Sequence, residues 1–165
     1  LPGFRSTETE KFDISPAELT RNFVLCYTGK PRNSGINNWE VTKKSVDGNP
    51  TVIRHLKSIR DCAVEMEQEL SRGQLKNLAP IFAKEWKARK QLAPNINTPQ
   101  MDQLIRSAMK KGALAGKVCG AGGGGCVAFI VPPAKKHLVI EELTLQGGQV
   151  LPFRFVSRGL RVTVQ

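Results

Sequence analysis

The stretch KVCGAGGGGC, residues 117–126, decides how the rest of the chain is read. Glycine loses more conformational freedom on folding than any other residue. The run Gly120-Ala121-Gly122-Gly123-Gly124-Gly125 is therefore ordered only where something requires a bare backbone. Its flanks are strand-like. Residues 113–119 precede it, and CVAFIV, residues 126–131, follows with β-branched and aromatic side chains before Pro132-Pro133. Gly120, Gly122 and Gly125 match the spacing GxGxxG. A dinucleotide fold, however, needs a helix immediately after that motif, so that the helix N-terminus holds the pyrophosphate. A Walker loop fails as well, because no Gly-Lys-Ser/Thr closes the run. What remains is a loop between two strands whose backbone can approach a ligand or another loop closely; the plainer alternative is a flexible turn.

Working outward from the loop gives an α+β order. NFVLCYT (22–28) reads as a strand ending in the turn signal GKPRNSG (29–35), and a polar stretch follows. Val52, Leu56, Ile59, Ala63, Met66 and Leu70 form one apolar stripe of a helix over about 50–71. Leu75, Leu78, Phe82 and Trp86 share a face of a second helix, about 74–91. Thr98-Pro99 is a helix start, and Met101, Leu104, Ile105, Ala108 and Met109 make the third stripe, ending at Gly112. A fourth helix is predicted from Pro132-Pro133 to Gly147-Gly148. LPFRFV (151–156) and LRVTV (160–164) alternate apolar and polar residues around Ser157-Arg158-Gly159 and read as a hairpin.

The 165 residues suit about one domain, and a hydrophobic fraction of 40% suits a folded one. No apolar run has the length of a membrane span, the N-terminus has no signal-peptide pattern, and a cytoplasmic protein is expected. The first residue is Leu1, which leads us to expect a fragment or a processed piece. A net charge of +11 points to an anionic partner. Cys26, Cys62, Cys119 and Cys126 form no CxxC pair and lie far from His55 and His137, so no metal site is expected and the thiols read as small buried residues.

With these residues in view, KVCGAGGGGC resembles the third motif of the GHMP kinases, near K-x-x-G-A-G-G-G-G, with Lys117, Gly120, Ala121 and Gly122 to Gly125 all matching. YTGKPRNSGINNWEVTKK (27–44), EWKARKQLAP (85–94) and the TPQMDQLI helix are similar to the branch of that family acting on heptose 7-phosphate and related sugars. The resemblance implies a ferredoxin-like antiparallel sheet of about four strands with helices packed on it. It divides the chain into an inter-domain remnant, 1–20, and a C-terminal domain, 21–165. It also implies an ATP-dependent sugar or sugar-phosphate kinase, with ATP and Mg²⁺ held mainly by an N-terminal domain. That domain's PxxxGLGSSA element does not occur here. No catalytic residue is expected in this chain, which alone would be inactive; a homodimer is compatible with this reading.

The candidate residues follow from the two readings together. Lys117, Gly120, Ala121 and Gly122 to Gly125 form the phosphate-side loop, facing anionic oxygens or buttressing a neighbouring loop. Lys30, Arg32 and Ser34 lie in a turn after a strand, where a phosphorylated acceptor would find cations. Asn37, Asn38 and Trp39 can bond and stack on a sugar ring, or simply anchor the next segment. Trp86, Arg89 and Lys90 end the second helix, the two cations flanking its apolar stripe; there they also suit the helix dipole. Two other classes stay open: a non-catalytic ligand-binding or regulatory module, and a basic ferredoxin-like nucleic-acid binder. Against the latter, the chain has only ten aromatics and no RNP-like run to present on an open sheet face.

Overall fold

The computed structural model describes residues 11–31, 34–160 and 162–163. The helix α1 (Pro16–Asn22) leads into strand β1 (Phe23–Tyr27). Then come helices α2 (Ser34–Val46), α3 (Pro50–Ser71), α4 (Leu78–Arg89) and α5 (Pro99–Lys110). Strands β2 (Ala115–Val118) and β3 (Cys126–Ile130), helix α6 (Lys136–Leu145) and strand β4 (Gln149–Leu151) complete the order. The four strands form one sheet in the order β2-β3-β1-β4, and every pairing is antiparallel. This is the ferredoxin-like β-α-β-β-α-β arrangement, with several helices inserted in the first crossover. An α+β fold with a four-stranded antiparallel sheet is thus what the structure shows.

Local chemistry explains most of the boundaries. Asn49 caps α3 by accepting from the backbone N–H of Thr51 and Val52, with Pro50 at the first helical position. Thr98 caps α5 through a 3.2 Å bond from Met101 N, followed by Pro99. Met101, Leu104, Ile105 and Ala108 of α5 are buried, as are Val139 and Leu143 of α6. They pack with Val24, Cys26, Val118, Val127 and Phe129 into the main core. On the other face of the sheet Ala115 and Ile130 meet Leu78 and Ala79 of α4, with Phe23 and Phe82 alongside.

Three expectations need correction, and one segment gains an element. The polar stretch after the first turn, to which the sequence reading assigns no element, is the helix α2. The C-terminal hairpin is absent among the described residues: only Gln149–Leu151 pairs with β1, and residues 152–160 form neither strand nor helix. Phe155 instead lays its ring edge-on against Phe23, centroids 5.5 Å apart, and against Phe153. Arg161 and Val164 of that expected hairpin lie outside the described residues. On α3 the inward position next to Ala63 is taken by buried Cys62, and Ala63 is exposed. Cys26 and Cys62 are buried, but Cys119 and Cys126 are only half-buried. Among the described residues no helix is long and apolar enough to cross a membrane.

Candidate functional site around the glycine loop

The glycine run is a docked loop. Cys119 N donates to Cys126 O at 2.8 Å across its neck, and Thr28 N donates to Gly125 O at 2.9 Å. Gly123 N donates to Ile96 O and Gly125 N to Lys30 O, both at 2.9 Å. Those two N–H groups therefore serve neighbouring backbone. The need for a bare backbone is clearest at two positions. A Cβ on Gly122, whose φ is +77°, would stand 2.3 Å from Ile96 O; one on Gly124, φ +153°, would stand 2.5 Å from Pro31 O. Any side chain there would push against main chain, which cannot swing aside.

Asn37 joins this loop to α2. It is buried, and its Nδ2 donates to Ala121 O at 3.2 Å and to Asn95 O at 3.4 Å. Beside it opens a cavity of about 400 Å³ whose lining includes Asn37, Asn38, Thr42, Arg89 and Ala121. The α2 side of the wall is polar at Asn37, Asn38 and Thr42, and the rest is apolar at Leu56, Leu92 and Ile96. Arg89 also borders a second cavity, of about 410 Å³. That one is a groove over the sheet lined by Phe23, Leu25, Phe82, Phe153 and Phe155, ending at Lys117, Cys119 and Gly120.

Arg89, common to both linings, belongs to an ion cluster that sequence reading missed. Glu85 is buried, only 7% exposed. Arg89 Nε donates to its Oε1 at 2.6 Å, and Lys117 Nζ stands 2.7 Å from its Oε2. Lys117 also lies over the Phe82 ring, 5.4 Å from the centroid. One carboxylate thus holds two cations, leaving one net positive charge, and fixes Arg89 at the wall of both cavities. The signal was present: Glu85 and Arg89 stand at i, i+4, the spacing of a helical ion pair, directly beside the core position Trp86.

The remaining candidates scatter. Trp86 is 5% exposed and belongs to the main core, so its ring packs rather than offering a face to a ligand. Trp39, by contrast, is 68% exposed on α2. Asn38 is exposed at the cavity rim. Lys90 is half-buried and caps α4 with its backbone N–H. Lys30 is exposed, and its contact with the loop runs through its carbonyl. Ser34 opens α2, and Arg32 lies outside the described residues. So Asn37, Asn38, Arg89 and Ala121 come together, with Gly122 to Gly125 adjoining and Lys117 linked through Glu85. Lys30, Trp39, Trp86 and Lys90 do not line that cavity.

The sequence pattern of the family described as GHMP kinases C terminal matches residues 66–149, from the end of α3 through the glycine loop to β4. The chain belongs to the GHMP kinases. The part that matches this GHMP kinase C-terminal pattern takes in β2, the glycine loop and β3. The chain is 30% identical over 145 residues to the D-glycero-alpha-D-manno-heptose 7-phosphate kinase of Campylobacter jejuni, covering 88% of this chain and 42% of that protein. It thus spans less than half the length of that relative. A solved structure described as a sugar kinase from Campylobacter jejuni superposes with a TM-score of 0.59 at 27% identity, covering 87% of this chain and 39% of the other. The L. major mevalonate kinase in complex with R-mevalonate has a TM-score of 0.71 at 15% identity, covering 81% and 41%. That last likeness concerns the fold alone.

Proposed function

We propose that this domain is the C-terminal part of an ATP-dependent kinase that phosphorylates a heptose 7-phosphate or a closely related sugar phosphate in the cytoplasm. The observation that carries the reading is the likeness to the heptose 7-phosphate kinase along 88% of the chain. The cavity beside the glycine loop agrees with it. Asn37 and Asn38 offer amides to ring hydroxyls, and Arg89, pre-oriented by Glu85, offers a guanidinium suited to an acceptor's phosphate. In this reading residues 1–20 are the remnant of an inter-domain region. Lys30, Trp39 and Lys90 are outer contacts that become relevant when the other domain closes the site, and Arg32 and Ser34 are acceptor contacts on the sequence resemblance alone.

Phosphoryl transfer depends on in-line positioning and charge neutralisation more than on covalent chemistry. This chain's part is to present the ordered loop, position the acceptor and exclude water from one side. ATP brings the transferable phosphoryl group. The described residues gather no group of three or more His, Cys, Asp or Glu that could hold a metal ion, and Glu85 already faces two cations. They do not suit Mg²⁺, which in this reading belongs with the nucleotide on the other domain, as does the group that activates the acceptor hydroxyl. This chain alone then transfers no phosphate.

The test is steady-state kinetics of the complete enzyme with ATP and, in parallel, heptose 7-phosphate, the unphosphorylated heptose and mevalonate. The reading predicts the highest kcat/KM for heptose 7-phosphate. It also predicts that Arg89→Ala lowers this value about ten- to hundredfold, while use of the unphosphorylated sugar changes little. Preference for mevalonate, or equal loss on both sugars, would contradict it.

A further inference from the structure

We propose that Cys119 and Cys126 are a two-electron thiol–disulfide site, oxidised by a small exposed disulfide such as glutathione disulfide into a bridge across the neck of the glycine loop. Gly116 pairs with Phe129, Lys117 with Ala128 and Val118 with Val127. One further step sets Cys119 directly opposite Cys126, and the 2.8 Å bond from Cys119 N to Cys126 O fixes that step. Side chains alternate along a strand, so residues 117 and 119 share a face, and their partners 128 and 126 share the same one. Both thiols therefore leave the same side of the sheet. Opposed residues in a hydrogen-bonded antiparallel pair have Cα atoms about 5.5 Å apart, within the roughly 4.4–6.8 Å range that a disulfide spans.

No other pair of these thiols shares that geometry. Cys26 pairs with Val127 and Cys126 with Tyr27, so Cys26 and Cys126 are diagonal neighbours on opposite faces. The sheet itself separates them. Cys26 is fully buried in the main core, and Cys62 is buried on α3. Burial also pushes both thiols up, Cys26 to about 11, which keeps them in the unreactive protonated form. Cys119 and Cys126, in contrast, are half-buried, and Cys119 lines the groove over the sheet. A small reagent can reach it there.

The chemistry balances as ordinary exchange. The thiolate of Cys119 attacks one sulfur of glutathione disulfide, and one glutathione leaves as its thiolate. The thiolate of Cys126 then attacks the Cys119 sulfur, and the second glutathione leaves. Two electrons pass from the two thiols to glutathione disulfide, and their two protons end on the two glutathione molecules released. The new bond closes a ring around residues 120–125 at the point where the loop leaves the sheet. It ties β2 to β3 without displacing Gly122 or Gly124 from Ile96 and Pro31.

The test uses the complete protein that carries this chain. It is equilibrated with mixtures of reduced and oxidised glutathione, quenched with acid, alkylated and digested after lysine and arginine. Cys119 and Cys126 fall on one peptide, residues 118–135. As the oxidised fraction rises, that peptide should appear unalkylated and two hydrogens lighter, while Cys26 and Cys62 in the folded protein stay reduced. In Cys126→Ser, Cys119 should stop at a stable adduct of one glutathione. Stable glutathione adducts on both cysteines of the unsubstituted chain, full alkylation of both at every mixture, or a link from either to Cys26 would overturn the proposal.

Discussion

The two faces of the sheet are built differently. On one, Val24, Cys26, Val118, Val127 and Phe129 meet α5 and α6 in a core where each of these residues is at most 2% exposed. On the other, α4 covers only one end. The remainder carries the groove of Phe23, Leu25, Phe82, Phe153 and Phe155, and beside it the cluster of Glu85, Arg89 and Lys117. The first face can be explained by burial alone. The second holds a carboxylate and two cations where apolar side chains would pack at least as well, since a buried ion cluster seldom adds net stability. That difference teaches where to look for function: on the side where the packing is chemically more demanding than stability requires, and where it leads to the glycine loop.

The dry face should respond most strongly to a cavity. Phe129→Ala should lower unfolding free energy by about 3–5 kcal/mol in denaturant titrations, because the ring lies at the centre of the core and leaves a cavity. A loss below about 1 kcal/mol would mean that this face is not the stabilising one. A smaller effect is expected from alkali. Burial first, and then the neighbouring Cys126 thiolate, raise the Cys26 thiol from 9.0 to about 11. The unfolded chain therefore releases this proton first as pH rises. The thiol's contribution to stability is fully present below pH 9 and lost as pH climbs towards 11, by about 2–3 kcal/mol. Cys26→Ala should flatten that part of the pH profile; an unchanged slope would remove Cys26 as its source.

The second face should respond more weakly and depend on salt. Glu85→Gln leaves Arg89 and Lys117, 28% and 22% exposed, without their shared counter-ion. Because water reaches both cations, we expect a loss of about 1–2 kcal/mol, short of that for a fully buried pair, and a smaller one at high ionic strength. A deficit matching that of Phe129→Ala, insensitive to salt, would show the second face to be as dry as the first.

Much of this architecture was legible because local signals and tertiary packing agree. The stripe of α3, the Thr98-Pro99 start of α5 and the strand flanks of the glycine run each carry their own periodicity or cap. The α2 segment, SGINNWEVTKKSV, was hidden because it follows directly on a turn signal and carries a glycine near its start. The alternation in LPFRFV was real but misleading. It is used to lay Phe153 and Phe155 near Phe23, while ladder pairing stops at Leu151. At the site, the loop and Arg89 could be picked out by residue type, whereas Glu85 showed only half of its role, the i, i+4 spacing to Arg89. The other half depends on Lys117 arriving from a strand, a contact that no spacing along the chain encodes. Trp86 misled for the opposite reason, since an aromatic on a helical stripe serves packing before it serves a ligand.

The central claim is that the glycine run is an ordered element, held by backbone contacts at Ile96 and Lys30. Amide hydrogen exchange of the Gly123 and Gly125 N–H groups tests this most directly. Both should be protected, exchanging far more slowly than an unstructured glycine segment, because each donates at 2.9 Å to a neighbouring carbonyl. Exchange of both at the rate of an unstructured peptide would show a flexible turn and contradict the account.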